Sequence, residues 1–423
     1  MSGITHLVEG MKLPRFVRVR QYFPRDELSE EQITAQLERD FSAPWVRERI
    51  RPGQRICITC GSRGVSNIQL VTREIVRLVR QLGAEPFLIP AMGSHGGATD
   101  EGQRGILAGY GITEESMGCP ILSSMQTVKI GHVGGMDVHI DQNAHQADGI
   151  IVVNRIKAHT GFKGKYESGL MKMMTIGLGK QYGAYIAHAA GDDAMPERLF
   201  LIGSEIIRQA NIVMGVGLME NAFDKTYKIA VLPAEEIPER EPGLLMEAKA
   251  AMGKIFLDSC DVLILEKIGK NYSGGGMDTN VVGRSRLPIG IQSERMGIFE
   301  LSEESHGNAT GMGRADVATR RFFDQISFDD TYPNAVTDYD SSVYKIPLIV
   351  DNERECIQTA MAICLHMDAE HPRIILLKNS LEIEEILISE ALVEEAKAQE
   401  RLTILGEPFA LEFDEQGDLL TRV

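Results

Sequence analysis

The sequence predicts an α/β fold built as two α/β domains, and three observations carry that expectation. A chain of 423 residues is too long for one ordinary core. From Arg55 onward, short apolar runs alternate with stretches whose apolar residues recur every three or four positions, the rhythm of strands followed by amphipathic helices. The run Gly149 to Val153 is apolar without alternation, as in a strand covered on both faces. Near Lys225 the character changes, and Pro233, Pro238 and Pro242 among glutamates read as a boundary. The domains are therefore expected over 1–225 and 226–423, with the functional site in the cleft between them.

Taken in order, Leu13 to Tyr22 has strand character, and Ser29-Glu-Glu-Gln32 is a capping box that opens a helix reaching about Phe41. Arg55 to Cys60 reads as a strand, followed by the loop Gly61 to Ser66. A helix follows with Ile68, Val71, Ile75, Leu78, Val79 and Leu82 on one face and Gly83 as its C-terminal cap. Glu85 to Ala91 is the next strand. It ends in Met92-Gly-Ser-His95-Gly-Gly97, before a helix that starts after Thr99 and Asp100. A hairpin is expected around Gly134-Gly135, then the buried strand Gly149 to Val153. From Asn154 to His188 the glycines Gly161, Gly164, Gly169, Gly177 and Gly179 forbid one uninterrupted helix and let backbone amides approach a ligand closely.

Beyond His188 the pattern predicts a helix over Pro196 to Ala210 and a strand from Ile212 to Val216. The second half reads as a helix at Leu244 to Leu257, a strand at Asp261 to Glu266 and a glycine-rich loop from Gly269 to Asn280. Strand pieces over Gly290 to Leu301 and a helix at Ala315 to Ile326 follow. The last stretch predicts helices at Glu353 to His366 and Glu382 to Ala398 around a strand at Arg373 to Lys378. No internal repeat is visible.

The chain carries 44 lysines and arginines against 60 acids, a net charge of −16. Residues 1–225 hold 25 basic and 24 acidic residues, which leaves 19 and 36 in the remainder. Such an acidic chain excludes nucleic acid as a partner, because phosphates require a basic face. A small anionic substrate remains compatible with the near-neutral first half. No stretch is apolar over the length of a membrane span, and Met1 to Lys12 lacks a signal-peptide core, so a soluble cytoplasmic protein is expected. The six cysteines are scattered, and Cys57 and Cys60 fall within a strand where residues three apart face opposite ways, so both are read as structural.

Arg63, His95 and His159 each fall just past the carboxyl end of a predicted strand, where open α/β sheets gather their ligands. Imidazoles that titrate near neutrality on two sides of a substrate suit removal and return of a hydroxyl proton on either face. A zinc hydrolase using His95, His159 and His188 competes with that reading, although no HExxH-type spacing supports it. A phosphate-binding GxxxxGK[ST] loop is absent. The methionines Met171, Met173 and Met174 read as core, and Lys163, Lys165 and Lys180 as solvated or phosphate-facing.

The residues His159, Ser168-Gly-Leu-Met-Lys172 and His188, together with Ser62-Arg63 and Gly93-Ser-His95, resemble the nickel-dependent lactate racemase family over most of residues 50–220. The resemblance implies a racemase or epimerase of a 2-hydroxy acid that works by hydride transfer to a nickel pincer nucleotide. It implies that Lys172 holds the cofactor covalently, with Ser168 and Gly169 in the binding loop, and that His188, sixteen residues on, ligates nickel. His95 and His159 take the places of the catalytic histidines, and Arg63 that of the substrate-binding arginine. Cofactor-biosynthesis proteins are the partners implied.

Departures are visible as well. Ser168-Gly169-Leu170 stands where the family has Ser-Gly-Gly, and Gly96 stands where it has an arginine. No clean match exists for the substrate-binding glutamine and lysine of the second domain, so Lys267 and Lys270, beside the glycine loop, are the candidates there. These differences point to a larger hydroxy acid, a sugar acid or dicarboxylate, bound also by Asn271, Asp278, Asn280 and Arg284. The alternatives to a racemase are the metal-dependent hydrolase and a homologue that binds an organic acid without turning it over.

Overall fold

The structure, a computed structural model, describes residues 3–338 and 341–423. Its first strand, β1 (Phe16–Gln21), buries Phe16, Val17 and Val19 and turns Arg20 outward. The helix Glu30–Phe41 opens with the expected capping box, Ser29 and Gln32 each serving the other's backbone. β2 (Arg55–Cys60), the helix Ile68–Gln81 and β3 (Glu85–Pro90) follow as predicted, with Gly83 at φ +83° just past the helix end. A helix at Asp100–Gly109 capped by Thr99 leads to the hairpin of β4 (Thr127–Val133) and β5 (Met136–Asp141). β6 (Gly149–Arg155), the helix Met195–Gln209, β7 (Ile212–Glu220), β8 (Thr226–Pro233) and the helix Ile237–Ala251 complete this part of the chain.

These elements from 25 to 252 form one compact unit. Its sheet has the order β3-β2-β6-β7-β8. β3, β2, β6 and β7 are parallel, and β8 returns antiparallel at the edge. β2 runs on through a helix to β3 on one side, whereas β6 lies on its other side. The strand order therefore reverses between β2 and β6, and a crevice opens there at the carboxyl ends. Cys57 and Cys60 are both buried free thiols, and burial pushes the Cys60 thiol up to about 12, in keeping with a structural role.

The other unit joins residues 1–24 to 253–423. β9 (Ser259–Ile268), β10 (Gln292–Leu301), β11 (Val317–Thr319), β12 (Leu348–Val350), β13 (Ile374–Leu377), β14 (Glu385–Ser389) and β15 (Leu402–Phe409) form its sheet with β1. The order is β12-β11-β10-β9-β13-β14-β1-β15. β1 pairs antiparallel with β14 on one side and β15 on the other. Those ladders assign the amino terminus to this unit, although in sequence it precedes the other.

The expected boundary at 225/226 is therefore corrected. It falls in the turn between β7 and β8, whose ladder runs from Met214–Pro233 to Glu220–Thr226. The proline run is not a linker either. Pro238 occupies the first turn of the helix Ile237–Ala251, where no amide donor is needed, and Pro242 is also accommodated within it. Two predicted helices are corrected in the same way. Ala315 to Ile326 contains β11 and only the short helix Arg320–Asp324, and Glu382 to Ala398 contains β14 before the short helix Val393–Lys397. In the second case Ile386, Leu387 and Ile388 are consecutive and all fully buried, so burial on both faces of a strand overrides the helical spacing of the charges.

Candidate active site

Three loops leave the carboxyl ends of β2, β3 and β6. The loop after β2 presents Ser62 and an exposed Arg63. The Tyr110 hydroxyl donates to the Ser62 carbonyl at 2.9 Å, which fixes that turn. The Ser62 hydroxyl lies 2.7 Å from His95 Nδ1, so the loops after β2 and β3 are joined side chain to side chain. His95 is further held through its backbone, because the buried Gln103 amide donates to the Gly93 carbonyl at 3.0 Å and to the His95 carbonyl at 3.2 Å.

Gln103 is itself oriented by Lys180, which donates to its Oε1 at 3.1 Å and also to the Pro90 carbonyl at the end of β3. Lys180 is fully buried, with its amine 3.1 Å from Asp141. This corrects the expectation of a solvated lysine. A buried amine in a low-dielectric interior is retained only with a counter-charge and hydrogen bonds, and Asp141, Gln103 and Pro90 supply them.

The loop after β6 is closed at its base by two backbone bonds between Lys157 and Ser168, at 3.0 and 3.2 Å. Inside it, the fully buried Glu167 accepts from the His159 amide at 2.7 Å and the Gly164 amide at 3.1 Å. Lys163 and Lys249 lie 3.3 and 2.6 Å from the same carboxylate. The His159 ring stacks on Phe162 at a centroid distance of 4.0 Å and accepts the Gly161 amide on Nδ1 at 3.0 Å. Burial pushes its pKa well below the usual 6.5, and the charges of Lys172, Lys163, His188 and Arg63 push it the same way.

Lys172, His188 and Arg63 all stand close enough to His159 to act on its charge, although they come from different loops and helices. Lys172 lies on the helical turn Leu170–Lys172, with its amine 5.6 Å from the Phe162 ring centroid. Burial, then the Arg63 guanidinium, brings that amine down to about 8, and Asp192 opposes the shift. A π-helical turn over Met173–Leu178 separates it from the helix Lys180–His188, so the predicted interruption by glycine is present. Gly177 is needed because a Cβ there would lie 2.4 Å from Met173 Sδ and 2.8 Å from the Ala91 carbonyl. Met171, Met173 and Met174 are buried core, as expected.

The charges of Arg63, Lys172 and His188 thus all act on the His159 ring, and Ser62 ties His95 to the Arg63 loop. Ser168 and Gly169 precede the lysine turn, and the Gly169 carbonyl accepts from the Asn154 amide at 2.8 Å. Lys267 and Lys270 come from outside the unit that carries these residues. Both belong to the other unit, where Lys267 lies 3.1 Å from Glu300 and Lys270 donates to Asn334 at 2.5 Å. The polar residues expected to extend a substrate site are also engaged within that unit. Asn271 accepts from Ser302 at 2.6 Å, Asp278 accepts from Asn280 at 2.8 Å, and Arg284 pairs with Asp316 at 2.7 Å.

Sequence reasoning missed Glu167, Lys249, Glu241, Gln103, Asp141 and the role of Lys180. No spacing announces a buried carboxylate that organises a loop. The one available signal was Glu167 among lysines in a glycine-rich stretch.

Among the described residues, no three histidine, cysteine, aspartate or glutamate side chains are grouped so as to hold a metal ion. Also among them, no helix is long and apolar enough to cross a membrane. Residues 8–190 match the lactate racemase N-terminal domain model. No curated protein matches. Among solved structures, the lactate racemase apoprotein from Thermoanaerobacterium thermosaccharolyticum is similar at 11% identity and a TM-score of 0.55, over 86% of this chain and 99% of that one. A protein from Thermotoga maritima is similar at 14% identity and a TM-score of 0.49, over 66% of this chain and 72% of that one. Arg63, His95, His159, Lys172 and His188 all lie inside the span, residues 8–190, that matches the lactate racemase N-terminal domain family.

Proposed function

We propose that this protein inverts the carbinol carbon of a 2-hydroxy acid, as a racemase or epimerase, with a nickel pincer nucleotide tethered to Lys172. The observation that carries the reading is the gathering of Lys172, His188 and Arg63 around His159. When bound, the cofactor would be held by Lys172 and His188 and would supply a hydride acceptor. The residues present fit that group. The donor set offers His188 but no cluster of three ligands, which suits a metal that brings its other donors with it and disfavours the three-histidine hydrolase. An amine brought down to about 8 is partly neutral near physiological pH, the form a covalent attachment through nitrogen requires.

The remaining roles follow from the same geometry. Arg63 receives the substrate carboxylate, since a guanidinium can bind it through two parallel hydrogen bonds. His159 is neutral at pH 7 and, with Nδ1 accepting the Gly161 amide, keeps its proton on Nε2, so it takes up a hydroxyl proton on Nδ1 once that amide is displaced; an anionic substrate would offset the cations that hold its pKa down. His95, held in place by Ser62 and Gln103, serves the opposite face. A 2-hydroxy acid is the substrate class that uses a carboxylate clamp and two imidazoles together.

The test is co-expression with enzymes that make the pincer nucleotide, followed by intact mass measurement and a chiral screen of 2-hydroxy acids. A mass increment on Lys172 and inversion of at least one acid are expected, both lost in Lys172→Ala. Ligand-induced stabilisation without inversion would favour the binding-only reading, and an unmodified Lys172 would overturn the proposal.

A further inference from the structure

The helix Ile237–Ala251 lies wholly outside the family-matched span, yet it is fastened to the His159–Lys172 segment at three points. The Tyr166 hydroxyl donates to the Pro238 carbonyl at 2.6 Å, Lys249 lies 2.6 Å from Glu167, and Glu241 Oε2 accepts the Met171 amide at 2.9 Å. The third contact differs from the others because it acts on the turn that carries Lys172. The first amides of a helical turn have no partner within the turn itself, and a carboxylate is the acceptor that complements them best.

Glu241 is nearly fully buried, and among the described residues its Oε1 has no hydrogen-bond partner. That oxygen abuts Gly169, where a Cβ would sit only 2.2 Å away. Gly169 has a φ of 179°, an extended conformation open to any residue, so the glycine is explained by the carboxyl group against it and not by backbone strain. A glutamate kept in the interior and a glycine kept small in front of it make one device.

We propose that Glu241 is a positioning residue that holds the Leu170–Lys172 turn so that the Lys172 amine stays against Phe162 and Arg63. The inference rests on the reading of Lys172 as the reactive lysine. Its test does not depend on cofactor, because it measures the amine of the protein as purified.

The probe is limited acetylation of the full-length protein with acetic anhydride at pH 7.5. Labelling of Lys172 is read by peptide mass spectrometry against the solvent-exposed Lys165 as internal reference, with hydrogen exchange of the peptide containing Met171 measured in parallel. In Glu241→Met the amide acceptor is gone. The labelling ratio of Lys172 to Lys165 is expected to change at least threefold, with faster exchange at Met171. Glu241→Gln keeps an acceptor oxygen and is expected to restore the wild-type ratio.

Gly169→Ala displaces the carboxyl end of a flexible side chain while leaving Glu241 in the sequence. It is expected to reproduce the Glu241→Met change, and the double variant is expected to add little to either single one. A wild-type labelling ratio in folded Glu241→Met, or additive effects in the double variant, would overturn the proposal. The expected labelling changes combined with absence of any cofactor adduct would instead remove the assigned function and leave the positioning role intact.

Discussion

The segment Ser168 to Gly179 and the loop Gly269 to Asn280 look alike as strings of letters. Each is rich in glycine and carries a lysine, and each comes after a strand that lies between parallel neighbours. The structure gives them different work. In the first, glycines let a helical segment pack on the Ala91 carbonyl, and the lysine is left in surroundings that disfavour its charge. In the second, glycines close a turn on itself. The Gly269 amide donates to the Gly276 carbonyl, Gly276 takes φ +82°, and the loop's Lys270 donates to the Asn334 side chain, while Lys267, at the end of the preceding strand, pairs with Glu300. The same letters thus leave one amine in surroundings that disfavour its charge and engage the other in a hydrogen bond to a neighbouring side chain.

This difference can be broken first at the glycines. In the second loop the glycine at 276 is essential to the turn, since a Cβ there would lie 1.7 Å from the Thr310 carbonyl oxygen on a backbone of positive φ. Gly276→Ala is expected to cost about 3 kcal/mol, combining the conformational penalty with displacement of a backbone atom. Urea denaturation followed by circular dichroism measures it. A change below about 1 kcal/mol would show that the turn yields easily.

How much of this was legible beforehand follows the same line. The strand-end positions of Arg63, His95 and His159 were readable, because parallel strands write themselves as apolar runs and their carboxyl ends are fixed by the next polar residue. The interruption after Lys172 was readable from Gly177 and Gly179. The attachment of β1 to the far end of the chain was not, since pairing with β14 and β15 depends on residues more than 360 positions away and leaves no local trace. Nor was the support from Glu241, which looked like part of a charged, proline-bearing boundary, or from Lys249, which stood on a predicted helix with no partner assigned to it. A buried carboxylate and an exposed one are the same letter, and only packing tells them apart.

The lysine offers the next comparison. The amine of Lys172 falls from 10.5 in an unfolded chain to about 8 when folded, so folding disfavours its proton by about 3 kcal/mol. Below pH 8 both states carry the proton and the full penalty applies. Between pH 8 and 10.5 the unfolded chain binds more protons than the folded one, so this group's contribution to stability rises with pH. Lys172→Met removes the penalty. It is expected to stabilise the protein by about 2 to 3 kcal/mol at pH 7, with some loss from the contact with Phe162, and the gain is expected to shrink steadily above pH 8. Denaturation curves of both proteins at pH 7 and pH 9.5 give the comparison. A destabilised Lys172→Met at pH 7 would mean that the amine is a structural cation after all.

The smallest effects are expected at Lys267 and Lys270, and their smallness is informative. The Lys267 side chain is 45% exposed, and its partner Glu300 retains Arg321 when Lys267 is removed, so no charge is left stranded. Lys270 contributes a hydrogen bond to the neutral Asn334 side chain. Lys267→Ala and Lys270→Ala are therefore expected to change stability by less than about 1 kcal/mol each, the range found for ion pairs that water can replace. Neither should alter acetylation or cofactor loading at Lys172, whereas inversion of a 2-hydroxy acid is the one property through which these lysines could still reveal a role. A substrate-dependent loss in either variant, with stability and loading unchanged, would place a substrate contact in the second unit despite the partners these amines have in the structure, and would make the two loops functional counterparts after all.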